Sequence, residues 1–211
     1  QAIMLKMAKP NKAKAGYTSE ARRLSKAETS AKLLAAGEKL FREHGYADAT
    51  MEGICAAAGV TRGALYHNFG GKEALFEAVV RRLLHELGDR LLDHPADDGD
   101  RLDAFLAVCE EYLKAATNPA LRRIVFEDGP AVLGERFRRL DAEHTIGPMA
   151  EELEGLMDDE LLARSSPTAL AVMLNGALVD AAVWITTQTD DGLGVKQAIA
   201  ALRALLRPMR S

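Results

Sequence analysis

Between Gly59 and Leu75 the chain reads GVTRGALYHNFGGKEAL, and the side chains there able to do chemistry are hydrogen-bond donors. Arg62 offers a planar fork of N–H groups, Lys72 an ammonium, His67 an imidazole, and Tyr66 and Thr61 hydroxyls. Val60, Leu65 and Phe69 are suited to burial, and most of the rest is small or polar. Donors gathered on so short a stretch, bracketed by glycines, suit contact with an anion or a polar edge.

Other groupings of reactive residues lead nowhere comparable. His85, His94 and His144, with Asp97 and Asp98, sit at no metal-ligand spacing, so they read as solvated and no metal is expected. Ser165 and Ser166 lack the strand-turn-helix setting of an activated nucleophile. Cys55 and Cys109 have small or apolar neighbours and read as reduced cysteines on helix faces. No acid–base pair or cofactor loop stands out, so neither an enzyme nor a cofactor is expected.

The 211-residue chain has the hydrophobic and charged content, 48% and 27%, of a globular protein with a real core. Its longest apolar runs, such as Ala169 to Leu174, are far shorter than a membrane span needs. The N-terminus lacks the ordered regions of a secretory signal. The expectation is a soluble, cytoplasmic protein with no membrane partner. The net charge of −4 conceals an asymmetry. Residues 1–72 hold 12 Lys and Arg against 6 Asp and Glu, a balance of +6; the remainder holds 15 against 25, or −10. A basic front on an acidic body suggests an anionic partner for the front alone. Much of that excess lies in residues 1–28, with seven basic and two acidic residues.

The elements that must position the donors are helical. Residues 1–28, with Pro10 and Gly16, are expected to form a flexible basic tail, disordered or only marginally helical, in which Arg22, Arg23 and Lys26 read as solvated, with reach into a minor groove as the alternative. From about Ser30, Leu33, Leu34, Leu40 and Phe41 recur at helical spacing until Gly45 stops the run. Thr50 caps a short helix that Gly59 closes, Thr61 caps another that runs to Phe69, and Lys72 opens a long one. HPADDGD (94–100) reads as an acidic linker. Helices are expected beyond it at about 100–117, 119–128, 131–144, 148–158, 167–189 and 194–208. Asn118-Pro119 and Ser166-Pro167 each place a capping side chain before a proline at the first helical position. Nothing alternates at period two, so the fold class is all-α.

Two short helices joined at Gly59-Val60 fit a helix-turn-helix. Such a recognition helix needs little bulk in its first turn, which Gly63 and Ala64 provide, and a side chain able to read a base edge, which Arg62 provides. Thr50 and Thr61 stand at helix N-termini, where a hydroxyl and free N–H groups seat a phosphate. Tyr66, His67 and Lys72 are placed to donate to phosphates on either side of the groove.

At this point LLAAGEKLFREHGYADATMEGICAAAGVTRGALYHNFGGKEALFEAVV resembles, without a gap over residues 31–80, the DNA-binding region of tetracycline-repressor (TetR) type regulators. FEDGPAVLGERFRRLDAEH is similar to the effector domain of one branch of that family. The resemblance implies a three-helix DNA-binding domain (29–75) followed by a helical effector-binding and dimerisation domain (76–211). It implies a homodimer, built through its last two long helices, that binds a palindromic double-stranded DNA operator and is released by a small molecule. Three positions depart from the family pattern. Gly37 replaces a common alanine at about 1 kcal/mol of helix propensity. Asn68, which otherwise falls at a DNA-contact position, replaces histidine or tyrosine. Gly71 replaces a serine or asparagine cap, leaving that helix start to the backbone.

The acidic body offers two further sets. Phe105, Tyr112, Phe126, Met149, Met157, Met173 and Trp184 are either core or the lining of a pocket for a small, largely apolar effector. Asn175 and Asp180 interrupt an apolar helix and either line that cavity or hydrogen-bond at a dimer interface. Leu170, Leu174, Leu178 and Ile185, with Ile199, Leu202, Leu205 and Leu206, recur at three and four and are expected to form a four-helix dimer interface. A protein-interaction module using those same helices, or a helical enzyme carrying the motif incidentally, are the alternatives.

Overall fold

The computed structural model describes residues 12–93 and 100–206, with side chains described from Arg23 onward. Among them there is no strand. The chain forms α1 (Lys12–Asp48), α2 (Met51–Ala58), α3 (Arg62–Phe69), α4 (Lys72–Leu92) and α5 (Arg101–Ala115). There follow α6 (Pro119–Leu121), a π-helical segment (Arg122–Asp128), α7 (Gly129–Leu133), α8 (Glu135–Asp158), α9 (Pro167–Thr186) and α10 (Asp191–Leu206).

The front half forms as its punctuation dictates. α1 is interrupted at Gly45, whose φ of 79° and ψ of 170° are not helical. Thr50 Oγ1 accepts from the Gly53 N–H and caps α2, and Thr61 Oγ1 accepts from the Ala64 N–H and caps α3. Between them Gly59, at φ 65°, makes the left-handed turn that joins the two helices. No side chain caps α4, as the Gly71 substitution requires.

Several boundaries differ from those expected. α1 reaches back to Lys12, so residues 12–28, expected to be at most marginally helical, are helical in the structure. Their Ala, Lys, Glu and Arg content favours helix, and one Gly16 costs too little to stop it. The helix expected at 131–144 is broken at Gly134, and its later part is continuous with the one expected at 148–158 in a single α8, which runs through Pro148. Proline removes one hydrogen bond, but Phe137 and Leu140 before it and Leu153, Leu156 and Met157 after it are all buried. The helix expected at 119–128 widens into a π-helical segment from Arg122, ahead of Pro130, which has no N–H to return to Phe126. The acidic linker, including His94, Asp97 and Asp98, lies outside the described residues apart from Asp100, which caps α5. Arg22 and positions 207–208 are likewise outside the described side chains.

α4 carries the core from one half to the other. Leu75, Phe76, Val79, Val80, Leu83, Leu84 and Leu87 are all buried along it. At its start Phe76 meets Phe41 edge-on at 5.0 Å and Tyr46 at 4.9 Å. α9 packs on α8 and α5 through Leu170, Ala171, Leu174, Leu178, Val179, Ala182 and Ile185. By length and composition α9 is apolar enough to cross a membrane, although no unbroken apolar run in it is long. Its burial in the body accounts for one apolar face, and the other is exposed.

One buried charge interrupts this core. Asp141 on α8 is 2% exposed, accepts from the Tyr112 hydroxyl at 3.0 Å and from Asn175 Nδ2 at 2.8 Å. Burial raises its carboxyl above the ordinary value, with the two hydrogen bonds and the Arg138 charge opposing. The folded state therefore holds this proton more tightly than the unfolded chain. That contribution to stability is complete below the ordinary carboxylate pKa and is lost as pH rises through the raised one. Asp141→Asn removes the titration, so its stability should fall less than the wild type's as pH rises above the ordinary carboxylate pKa of about 4. Urea unfolding across that range measures the difference; parallel curves would show that Asp141 does not couple to folding.

Candidate nucleic-acid interface and cavity

α3 is held by a minimal base. Leu65 is its one fully buried residue among the described ones, while Thr61, Arg62, Gly63, Tyr66 and His67 are exposed and Ala64 is half-buried. A methyl group added at Gly63 would meet only Thr61 Oγ1, at 3.8 Å. Nothing within the fold needs a glycine there, and its bareness leaves the first turn open to close approach from outside. Arg62 Nη1 donates to Glu52 Oε1 at 2.6 Å, and its guanidinium lies 5.8 Å from the centre of the Tyr66 ring. Both partners of that ion pair are exposed, so it is weak and exchangeable. Thr50, also exposed, sits at the start of α2.

Two of the expected DNA contacts turn inward. Asn68 donates from Nδ2 to the Ala64 carbonyl at 2.7 Å and accepts on Oδ1 from the Ser30 hydroxyl at 2.9 Å, tying α3 to α1. Lys72 donates to three carbonyls where α1 ends: Tyr46 at 2.8 Å, Ala49 at 3.0 Å and Ala47 at 3.3 Å. Its ammonium also lies 4.3 Å from the Tyr46 ring centre. These partners use all three of its N–H bonds, so Lys72 serves the junction of α1 and α4 where a phosphate contact was expected.

The same junction is gripped from the other side. The Tyr46 N–H donates to Asp128 Oδ2 at 2.7 Å, and Arg123 Nη1 reaches the Glu43 carbonyl at 3.4 Å. Arg136 of α8 pairs with both Glu73 and Glu77 of α4. Arg122 of the π-helical segment pairs with Asp191 of α10 at 2.5 Å and donates to the Thr186 carbonyl. None of these ties was read from the sequence. Asp128 and Arg136 look like ordinary surface charges there, because their partners lie 82 and 59 to 63 residues away.

A cavity of about 300 Å³ lies between α4, α5, α8 and α9. Of the residues expected to line a pocket, Phe105, Tyr112, Met149 and Asn175 do so. Phe126 is instead fully buried, edge-on to Tyr112 at 5.9 Å, and Met157 is also core. Met173 and Trp184 are 71% and 41% exposed on the outer face of α9. The expected interface residues Leu174, Leu178, Ile185, Leu202 and Leu206 are buried within the chain, as is Leu170, and Ile199 is half-buried. Leu205 alone of the six leucine and isoleucine interface candidates named for α9 and α10 at Leu174, Leu178, Ile185, Leu202, Leu205 and Leu206 remains exposed, at 63%. A helix apolar on all sides gives three-and-four spacing on each face, so periodicity does not say which one turns inward. Asp180 lies on the outer face, paired with Arg138 at 3.0 Å.

The model of the bacterial regulatory proteins of the tetR family matches residues 33–79, and that of the tetracyclin repressor-like C-terminal domain matches residues 102–209. The chain belongs to the TetR family of transcriptional regulators. It is similar to a TetR-family transcriptional regulator of Pectobacterium atrosepticum, 38% identical, with 89% of this chain and 97% of that one aligned at a TM-score of 0.77. It is 30% identical over 114 residues to the HTH-type transcriptional repressor AcnR of Corynebacterium efficiens, spanning 50% of this chain and 60% of that protein. To the HTH-type transcriptional regulator TtgR of Pseudomonas putida it is 42% identical over 64 residues, 30% of each. These are regulators, and the chain is one of them and not an enzyme.

Replacing Lys72 by Met should lower stability by about 1–3 kcal/mol, because three carbonyls at the α1 terminus lose a charged donor. Urea denaturation measures this. A variant of unchanged stability but weakened DNA binding would return Lys72 to the DNA interface.

Proposed function

We propose that this protein is a cytoplasmic, homodimeric repressor that binds a palindromic operator through α3 and releases it on binding a small, largely apolar effector. The exposed first turn of α3, with Arg62 held only by an exchangeable partner, is the observation that carries the reading. Thr50, Thr61, Tyr66 and His67 surround it as phosphate contacts, and Gly63 and Ala64 admit the base edges.

The outer faces of α9 and α10 supply the dimer. Met173, Ala177 and Trp184 on one helix and Ala201 and Leu205 on the other form an apolar strip beside a shallow groove. Two such strips related by a two-fold axis make a four-helix bundle. That axis would set the two α3 helices roughly 34–36 Å apart, one turn of duplex.

The cavity supplies the switch. Gly88, Leu91 and Leu92 of α4 form one wall, and His144, Met149 and Glu152 of α8 form another. A molecule that binds better when these helices part would tilt α4 and change the spacing of the two recognition helices.

Selection of bound duplexes from a random pool tests the reading, and a recovered palindrome is the expected result. Failure to enrich any sequence would overturn it. Against the recovered operator, Arg62→Ala should weaken binding roughly 10- to 100-fold and relax preference at one base pair per half-site. A panel of single-base operator variants checks this, and unchanged selectivity would contradict it. Trp184→Asp combined with Leu205→Asp should yield monomers in analytical ultracentrifugation, whereas an intact dimer would place the interface elsewhere.

A further inference from the structure

We propose that Asn175 selects the ligand of this cavity by accepting a hydrogen bond from a neutral hydroxyl on an otherwise apolar molecule. The inference rests on the reading of the cavity as an effector site.

Asn175 is 7% exposed and lines the cavity from α9. Its Nδ2 is committed to Asp141 Oδ2 at 2.8 Å. A carboxylate only accepts, so this bond fixes the amide's orientation and leaves Oδ1 as the end of the side chain still without a partner. That Oδ1 is buried and has no partner among the protein groups. A buried acceptor without a donor is costly, and a ligand that brings a donor recovers the cost.

The surroundings decide what kind of donor. Asp141 stands behind Asn175 with its two oxygens taken by Tyr112 and Asn175, so it presents no open carboxylate to an ammonium group. Glu152, at the cavity wall, is held by Arg101 at 2.9 and 3.2 Å. No Lys or Arg is among the lining residues, so a carboxylate or phosphate on the ligand would find no lysine or arginine there. Cys109, also in the wall, has its thiol pushed up to about 12 by burial and stays neutral. Of the other polar groups in the lining, the Tyr112 hydroxyl donates to Asp141, the Thr145 hydroxyl donates to the Asp141 carbonyl, and the His144 ring packs on His85 at 4.5 Å; Leu91, Phe105, Val108, Met149 and Leu178 are apolar. A volume of about 300 Å³ is at the small end for a ligand site and suits one or two rings or a short chain. With no Lys or Arg in the lining and its one carboxylate already paired, a neutral O–H on an apolar body is the chemistry that fits.

The test uses matched pairs that differ only in the donor: β-naphthol with its methyl ether, and n-octanol with methyl octyl ether. Calorimetric titration of the full-length wild type should show the hydroxyl member of at least one pair binding about tenfold tighter than its ether. In Asn175→Leu that preference should vanish, with the ether binding at least as well as the alcohol. Loss of Asn175 also strips a donor from Asp141, so Asp141→Leu with Asn175→Leu serves as a second variant in which no charge is stranded. Equal affinity of alcohol and ether in the wild type, binding by no member of either pair, or a preference that survives either variant would overturn the proposal. Operator binding followed in the same samples separates this from the regulatory reading. Operator release by ether and alcohol alike would sink the role of Asn175 and leave the switch intact. Asn175-dependent binding that leaves the operator bound would do the reverse.

Discussion

Three carbonyl groups left over where α1 ends set the terms for the rest of the structure. A helix terminus leaves carbonyls without intrahelical donors, and when packed against a neighbour it must find donors elsewhere. Here the Lys72 ammonium supplies three hydrogen bonds at once, from the first residue of α4. The bond fixes where α4 starts relative to α1, and so fixes the platform on which α3 sits. The Tyr46 N–H in the same turn is satisfied by Asp128, from the π-helical segment of the body. The DNA-facing half and the body thus share one turn of backbone, and neither has freedom to move there without breaking bonds that belong to the other.

How much of this was legible in the sequence follows from the range of the forces involved. Caps and turns are local, so Thr50, Gly59, Thr61, Asn118 and Ser166 could be placed by inspection, and all five behave as their residue types dictate. The open face of α3 was legible for the same reason. Lys72 stands at a spacing from the recognition helix that suits a phosphate, while the carbonyls it meets in the structure depend on how the end of α1 folds back. Asp141 lies four residues after Phe137 on the buried face of α8, so its burial is legible in the spacing. Asn175 stands out in the sequence as a polar break in an apolar helix, but only the fold shows that one end of its amide is spoken for and the other is not.

The body's apolar residues show the limit of periodicity most plainly. α9 has buried Leu174, Leu178 and Ile185 on one side and exposed Met173 and Trp184 on the other. Burial within the chain and burial against a second copy are the same force acting on the same residue types. A sequence contains both stripes and no label for either. What separates them is the position of α5 and α8, which pack against the first stripe and leave the second uncovered.

α4 joins the two ends of the molecule that matter for the proposed function. Its first turn carries the platform of α3, and Gly88, Leu91 and Leu92 near its far end line the cavity. A helix of 21 residues is roughly 30 Å long, so a tilt of a few degrees at one end moves the other by an ångström or two. The pairs of Arg136 with Glu73 and Glu77 resist such a tilt near the DNA-facing end, and the packed side chains along α4 transmit it as a rigid body. Distance alone does nothing, because only a difference in ligand affinity between the two helix positions can shift their populations. The buried Tyr112–Asp141–Asn175 network provides the means for that difference. It joins α5, α8 and α9 into one hydrogen-bonded unit, so that wall of the cavity is stiff, while the α4 wall is made of a glycine and two leucines. In the proposed switch, a ligand anchored on the stiff side would press on the compliant one, which leads to α3.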